Sequence, residues 1–271
     1  MSPRASIRDV WVAYDDTGGA SGDVVLFLHG FPHSRAFWAP QLAGLPALAP
    51  GWRLIAPDLR GFGESDVVGP WHVDHWADDV VALLDHLDVE RAVVVGLSMG
   101  GYVALAFWQF HAPRLRALVL ADTRAGDDTP AVRERRHELI ALARREGSEA
   151  VAESQLAGAL GATSREERPE VVAGLRTLMA AAPVDGIVGA LEAMMTREDS
   201  TPTLATIDVP TLVIVGGEDV LVSRDEAEIL RDAIRGSRLE VIEQAGHVSN
   251  MERPAAFNHV LSEFLAALEY Q

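Results

Sequence analysis

The chain has 271 residues, enough for one large domain or for a core with an inserted subdomain. Its 40 acidic and 23 basic residues give a net charge of −17. This charge argues against a nucleic acid or an anionic membrane as partner, because both bind concentrated positive charge. Cysteine is absent, and all 23 basic residues are arginine. The composition therefore excludes a thiol nucleophile, disulfides, cysteine-bound zinc, Schiff-base chemistry and a P-loop lysine.

The sequence contains no apolar run that approaches the roughly 20 residues of a membrane span. Residues 1–9 also lack the apolar stretch of a signal peptide. We therefore expect a soluble, cytoplasmic protein with no membrane partner. Nothing in the sequence indicates its oligomeric state.

Short β-branched or apolar runs alternate with helical patterns in the first 121 residues and again from residue 210 onward. This alternation predicts an α/β fold whose mostly parallel sheet is covered by helices on both faces. The predicted strands are 10–14, 23–28, 53–56, 92–95, 115–121, 210–215 and 239–242. The predicted helices of this part are 73–87, 100–110, 225–234 and 254–268.

The pattern changes between residues 123 and 206, which are rich in Ala, Leu, Glu and Arg and contain no β-branched run. Apolar spacing and Gly or Pro breaks predict four helices there. An all-helical stretch between two strands of a parallel sheet indicates a cap, or lid, inserted into the core. We predict a core of residues 1–122 and 207–271 and a helical cap of residues 123–206. The four helices are 130–146, 149–160, 169–181 and 184–195.

The strand predicted at 92–95 runs into Gly96-Leu97-Ser98-Met99-Gly100. This matches the nucleophile elbow G-x-S-x-G, a sharp strand-to-helix turn that exposes a serine hydroxyl. The turn forces the serine into strained backbone angles, and the flanking glycines supply the clearance that a Cβ would deny. An ordinary glycine-rich turn has the same pattern, so the assignment of Ser98 as a nucleophile depends on finding its partners elsewhere in the chain.

A nucleophilic serine needs a neighbouring base, normally His, which a carboxylate orients. In a sheet of this kind the chain order is serine, acid, histidine. His247 is the one histidine of nine that lies in a loop directly after a late predicted strand, so we predict it as the base. Asp219, shortly after the strand at 210–215, is the predicted acid. Its neighbour Glu218 and the earlier Asp122 remain alternatives.

An oxyanion hole needs two backbone N–H groups directed at the developing negative charge. Met99, which directly follows the nucleophile at a helix N-terminus, offers one such group. Phe31, in the loop after the strand at 23–28, offers the other. His29 is expected to brace that loop by hydrogen bonds.

Four sequence blocks, in order along the chain outside the predicted cap, resemble the α/β-hydrolase superfamily. Within it, the sequence resembles small carboxylesterases and the group of hydrolases like 3-oxoadipate enol-lactonase. The resemblance implies a triad of Ser98, His247 and Asp219, an acyl-enzyme intermediate and no cofactor or metal. The blocks are His29-Gly30-Phe31-Pro32, Asp58-Leu59-Arg60-Gly61-Phe62-Gly63-Glu64-Ser65, Gly96-Leu97-Ser98-Met99-Gly100-Gly101 and Ala245-Gly246-His247.

No aromatic residue occurs between positions 111 and 256, so the cap can line a pocket only with aliphatic and methionine side chains. Such a lining suggests a neutral, apolar acyl group and favours a carboxylesterase over a lactonase. Aromatic walls must come from core loops. The predicted substrate-binding residues are Trp38, Met179, Met195 and Val220.

Two charged clusters have alternative interpretations. The His and Asp residues of 71–79 have a spacing that could bind a metal, but we interpret them as the start of a helix that Asp74 can cap. The run Arg133-Glu134-Arg135-Arg136 is interpreted as a solvated helix face. Its functional alternative is that one arginine attracts a substrate that bears a carboxylate.

The leading hypothesis is a cofactor-free serine hydrolase of small carboxylic esters. An enol-lactonase or a carbon–carbon-bond hydrolase could use the same triad. A non-catalytic ligand-binding protein on the same fold is the alternative from another class. The expected partner is a small-molecule ester or lactone.

Overall fold

The computed structural model of the protein describes residues 3–19 and 23–268. The outermost residues of the predicted core, 1–2 and 269–271, lie outside this part, as do residues 20–22. The described residues form one sheet of eight strands in the order β1-β2-β4-β3-β5-β6-β7-β8. The strands are β1 Arg4–Ile7, β2 Val10–Asp16, β3 Val24–Leu28, β4 Arg53–Pro57, β5 Ala92–Leu97, β6 Leu115–Ala121, β7 Thr211–Gly216 and β8 Arg238–Ile242.

The pairs β1–β2 and β2–β4 are antiparallel, and the pairs from β4–β3 to β7–β8 are parallel. The predicted α/β class with a mostly parallel sheet is therefore confirmed. The helices are α1 Ala39–Leu48, α2 Val73–His86, α3 Met99–His111, α4 Pro130–Glu146, α5 Ser148–Ala159, α6 Ala162–Glu167, α7 Pro169–Ala180, α8 Val184–Thr196, α9 Arg224–Ala233, α10 Ser249–Glu252 and α11 Pro254–Leu268.

The central strands are buried on both faces, because successive side chains of a strand point to opposite sides. In β5, Val94 belongs to the core layer that includes Leu83 of α2, whereas Val93 belongs to the layer that includes Phe257 of α11. All six residues of β5 are buried. The strand that leads to Ser98 is thus held rigidly between two helical layers.

Five helices, α4 to α8, lie between the neighbouring parallel strands β6 and β7. The predicted helices of this stretch agree with α4, α5, α7 and α8 to within two residues, and the short α6 was not predicted. We propose that residues 123–206 form a cap over the carboxyl ends of the strands. This segment is called the cap segment below.

Helix α2 begins at Val73, and its N-cap residue His72 makes no side-chain capping hydrogen bond. The prediction that Asp74 caps this helix is therefore wrong. Asp74 instead lies within the first turn, where an acidic side chain suits the positive end of the helix dipole.

Among the described helices, no single one is long and apolar enough to cross a membrane. The pair Pro169–Ala180 and Val184–Thr196 meets the length and composition criteria only when taken together, and it is bent by 91°.

Candidate active site

Ser98 occupies the turn between β5 and α3 with a φ of 55° and a ψ of −115°. A positive φ is strained for a residue with a side chain. The turn is possible because the residues two positions before and after Ser98, Gly96 and Gly100, lack a Cβ. A Cβ at Gly96 would overlap the Gly100 carbonyl, and one at Gly100 would overlap the Leu28 carbonyl. The strand, turn and helix therefore have the geometry that the elbow motif predicts.

Ser98, His247 and Asp219 lie in one chain of hydrogen bonds. The Ser98 Oγ lies 2.8 Å from His247 Nε2, and His247 Nδ1 lies 2.8 Å from Asp219 Oδ2. The other carboxylate oxygen of Asp219 accepts backbone N–H bonds from Leu221 at 2.7 Å and Val222 at 3.0 Å. These bonds fix the carboxylate so that it can orient the imidazole.

The two alternative acids have other partners. Glu218 accepts hydrogen bonds from the backbone N–H and the hydroxyl of Thr163 in the cap segment. Asp122 accepts the Gly216 N–H at 2.7 Å and bonds the Ser249 hydroxyl at 2.5 Å. Of the three carboxylates considered, the structure places Asp219 beside the imidazole.

The environment of His247 raises its pKa above the ordinary 6.5. Burial is the largest influence and acts in the opposite direction, because it disfavours the charged imidazole. The charge and hydrogen bond of Asp219 outweigh burial. The charge of the Arg124 guanidinium lowers the pKa of the imidazole. A raised pKa makes the imidazole a stronger base for proton transfer from a serine.

The loop after β3 lies against the elbow. A Cβ added to Gly30 would come within 3.3 Å of the Leu97 carbonyl and 3.4 Å of the Ser98 Cβ. His29 is fully buried, with its Nδ1 2.9 Å from the Gly30 carbonyl and its Nε2 accepting the Leu59 N–H at 3.0 Å. The expected bracing role of His29 is confirmed. The loop carries the next residue, Phe31, beside the nucleophile.

Met99 is the first residue of α3, so its N–H has no partner within the helix. Its side chain is fully buried in the core. Met99 directly follows Ser98, and Phe31 lines the same cavity as Ser98; their role as an oxyanion hole stays a prediction.

A cavity of about 310 Å³ opens beside Ser98 and His247 between the sheet and the cap segment. Met179 and Val220 line it as the sequence predicts, and Phe31 and Tyr102 supply its aromatic wall. The remaining lining residues are His33, Arg124, Val132, Arg135, Arg136, Leu139, Gln155, Ala159, Met194, Leu221, Val222 and Val248.

Two predicted substrate-binding residues, Trp38 and Met195, are not in this lining. Trp38 is fully buried in the core, where its ring lies 4.9 Å from that of Phe27 and 6.0 Å from that of Phe257. Met195 packs against the core, and its neighbour Met194 takes the place at the cavity. Successive residues of a helix point about 100° apart, so only one of the two can face the same side.

Part of the cavity lining is polar, as only the alternative interpretation of the run 133–136 predicts. Arg124, Arg135 and Arg136 all reach the cavity, so the expected purely apolar lining is wrong. The available signal was the spacing of α4, where Val132 and Leu139 lie on the same face as the two arginines.

The described residues contain no group of three or more His, Asp or Glu side chains arranged to hold a metal ion. Within the segment 71–79, Asp78 contacts the Nε2 of His111 at 2.8 Å.

A model of the α/β-hydrolase fold matches residues 23–254 of the chain. Among curated proteins, 3-oxoadipate enol-lactonase 2 of Acinetobacter baylyi is 31% identical over 256 residues, which cover 94% of this chain and 92% of that protein. Among solved structures, a thermophilic esterase from Thermogutta terrifontis has a TM-score of 0.93 at 37% identity, over 98% of this chain and 99% of that one. The enol-lactonase from Burkholderia xenovorans LB400 has a TM-score of 0.89 at 31% identity, over 97% of this chain and 100% of that one.

The chain therefore belongs to the α/β-hydrolase family, and it is an enzyme of the hydrolase class. Within this family, its similarity is to esterases and enol-lactonases. The resemblance inferred from the four sequence blocks is confirmed.

Proposed function

We propose that the protein is a serine hydrolase that cleaves small carboxylic esters through an acyl-enzyme intermediate. The observation that carries this proposal is the chain of two 2.8 Å hydrogen bonds from Ser98 through His247 to Asp219, at the wall of a cavity. The esterase and enol-lactonase relatives support it, because a lactone is a cyclic ester and needs the same chemistry.

The geometry supports a two-step reaction. His247 Nε2 takes the Ser98 proton as the serine oxygen attacks the ester carbonyl, while Asp219 holds the other imidazole proton on Nδ1. The N–H groups of Phe31 and Met99 stabilise the oxyanion of the tetrahedral intermediate. His247 then protonates the leaving alcohol. In the second step it activates a water molecule, which releases the acid and restores Ser98.

Lactone hydrolysis is the second candidate, and the enol-lactonase relatives support it. The three arginines of the cavity favour a negatively charged substrate over the neutral one that the sequence suggested. The Thermogutta esterase structure is described as malate bound, and malate is a dicarboxylate. No described feature of the cavity favours a carbon–carbon-bond hydrolase. A pure binding protein has no need of the Ser98–His247–Asp219 arrangement.

The test is Ser98→Ala, assayed on aryl acetates and butyrates. We expect kcat to fall by about 10⁶-fold, as removal of a triad serine does in another serine hydrolase, while the circular dichroism spectrum and Tm stay unchanged. A fluorophosphonate probe should label the wild type at Ser98 and leave the variant unlabelled. Ser262→Ala is the control, because among the described residues the Ser262 hydroxyl bonds the His259 carbonyl alone. Activity of Ser98→Ala within tenfold of wild type would refute the mechanism.

A further inference from the structure

The cavity beside Ser98 is positively charged although the whole chain carries a net charge of −17. Three arginines line it, and no aspartate or glutamate is among the described residues of its lining. Burial holds the pKa of His33 well below 6.5, so this lining imidazole is neutral near pH 7 and adds no charge. The arginines therefore set the charge of the cavity.

The carboxylates behind the cavity do not balance these arginines. The side chain of Asp128 is fully buried. It forms ion pairs with Arg136 at 2.5 Å and with Arg197 at 2.7 Å. Arg124 pairs with Glu226 at 3.3 Å and lies 3.9 Å from Asp128. Its Nε is buried without a hydrogen-bond partner. The two carboxylates of Asp128 and Glu226 thus pair with three arginines, namely Arg124, Arg136 and Arg197. Arg135 adds a further positive charge.

Arg135 is exposed at the rim of the cavity. It makes no ion pair with any residue in the described part of the chain, whereas most of the other arginines there have a carboxylate partner. Its guanidinium is available to a ligand, and a guanidinium forms charge-assisted, bidentate hydrogen bonds with a carboxylate.

We propose that Arg135 and Arg124 form an anion subsite, and that the substrate is an ester or lactone whose acyl portion bears a carboxylate. This inference rests on the proposed function of Ser98. We assign the carboxylate to the acyl portion of the substrate because this portion stays attached to Ser98 and must be held until the acid is released. The aliphatic lining residues Leu139, Met179 and Met194 suit the carbon chain between the ester and the carboxylate.

The experiment compares two isosteric substrates. One is the monomethyl ester of pentanedioic acid, which carries a carboxylate, and the other is methyl 4-carbamoylbutanoate, which carries a neutral amide there. Methanol is the leaving group of both, so the charge can lie only in the acyl portion. We expect the wild type to prefer the acid over the amide at least tenfold in kcat/KM, and added salt to reduce this preference.

Arg135→Gln should lower the acid-to-amide ratio of kcat/KM about tenfold. This corresponds to the loss of one charge-assisted contact. It should also weaken competitive inhibition by pentanedioate, which is a readout of binding alone. Arg145→Gln is the matched control, because this exposed arginine lies on the same helix, pairs with Glu146 and is not part of the lining. We expect it to leave the ratio unchanged.

A ratio near one in the wild type, or the same ratio in wild type and Arg135→Gln, would overturn the subsite. Either result can occur in an enzyme that hydrolyses both esters through Ser98, so the proposed function would stand. Failure of the proposed function would appear instead as turnover that survives in Ser98→Ala.

Discussion

Asp122 is a fully buried carboxyl that connects the two loops that carry Asp219 and His247. It accepts the N–H of Gly216, three residues before Asp219, and it bonds the hydroxyl of Ser249, two residues after His247. A single side chain thus sets the distance between the acid and the base. We interpret Asp122 as a positioning residue, since it has no hydrogen bond to the imidazole.

Asp122→Ala should lower kcat by about 10- to 100-fold, because small displacements of catalytic groups cost this much. Asp122→Asn should retain kcat to within about threefold, because its amide oxygen can still accept from Gly216 and its amide nitrogen can donate to Ser249. Steady-state kinetics at constant pH measure both. Equal losses in the two variants would show that the carboxyl acts through its charge and not through its hydrogen bonds.

At the scale of single residues, the sequence predicted what depends on local pattern and chain order. Ser98, Asp219 and His247 each follow a strand in the order that the fold demands, so their meeting point was predictable. The positions of Trp38 and Met195 were not. They depend on how the cap segment and the loop after β3 pack on the sheet, and the sequence pattern is silent about that packing.

At the scale of elements, the junction between α5 and α6 ties the cap segment to the loops that follow β7 and β8. The Ala159 carbonyl accepts the His247 N–H at 3.1 Å. The buried Glu252 accepts the N–H of Gly161 at 2.9 Å and that of Gly246 at 2.8 Å. The cap segment therefore helps to hold the histidine loop, in addition to covering the cavity.

Gly161→Ala tests this connection. A Cβ at Gly161 would come within 2.6 Å of the Glu218 Oε2 and 2.9 Å of the Gly246 N. We expect the variant to lose about 1–3 kcal/mol of unfolding free energy, as overpacked sites do, and to lose activity as the histidine loop shifts. Chemical denaturation and kcat/KM are the measurements.

The matched control is Gly174→Ala, because a Cβ at this position of α7 meets no atom within 4 Å. Alanine there should stabilise the helix by up to about 1 kcal/mol and leave kcat/KM unchanged. If Gly161→Ala behaved like Gly174→Ala in both measurements, the junction would have no role in holding the loop.

The elements that the sequence missed share a physical reason. Helix α1 contains Gly44 and Pro46, which interrupt a helical pattern. Helices α6 and α10 have six and four residues, too few for an apolar period to show. The edge strand β1 has four residues and one partner, β2. Long strands and amphipathic helices were predictable because their patterns extend over several periods.

At the scale of the whole molecule, stability and activity should respond to pH in opposite directions between pH 6.5 and 8. Burial, reinforced by the charge of Asp219, raises the pKa of Asp122 from 3.8 to about 8. The stabilisation linked to its proton is complete below pH 3.8 and is lost as the pH rises through 8. The raised pKa of His247 adds a second loss of stability, which begins above pH 6.5. His29 and His33 have lowered pKa values, so their contributions are complete above pH 6.5 and do not change in this window.

We therefore expect the unfolding free energy to fall by about 1–2 kcal/mol across this window, since one pKa unit corresponds to about 1.4 kcal/mol. Over the same window kcat/KM should rise, because the reaction needs neutral His247 as base and protonation inactivates it. Denaturant titrations and initial rates at matched pH values measure the two curves. Asp122→Asn removes the titrating carboxyl, so its unfolding free energy should depend less on pH while its kcat/KM still rises. A stability slope in Asp122→Asn as steep as that of the wild type would show that the buried carboxyl is not its source.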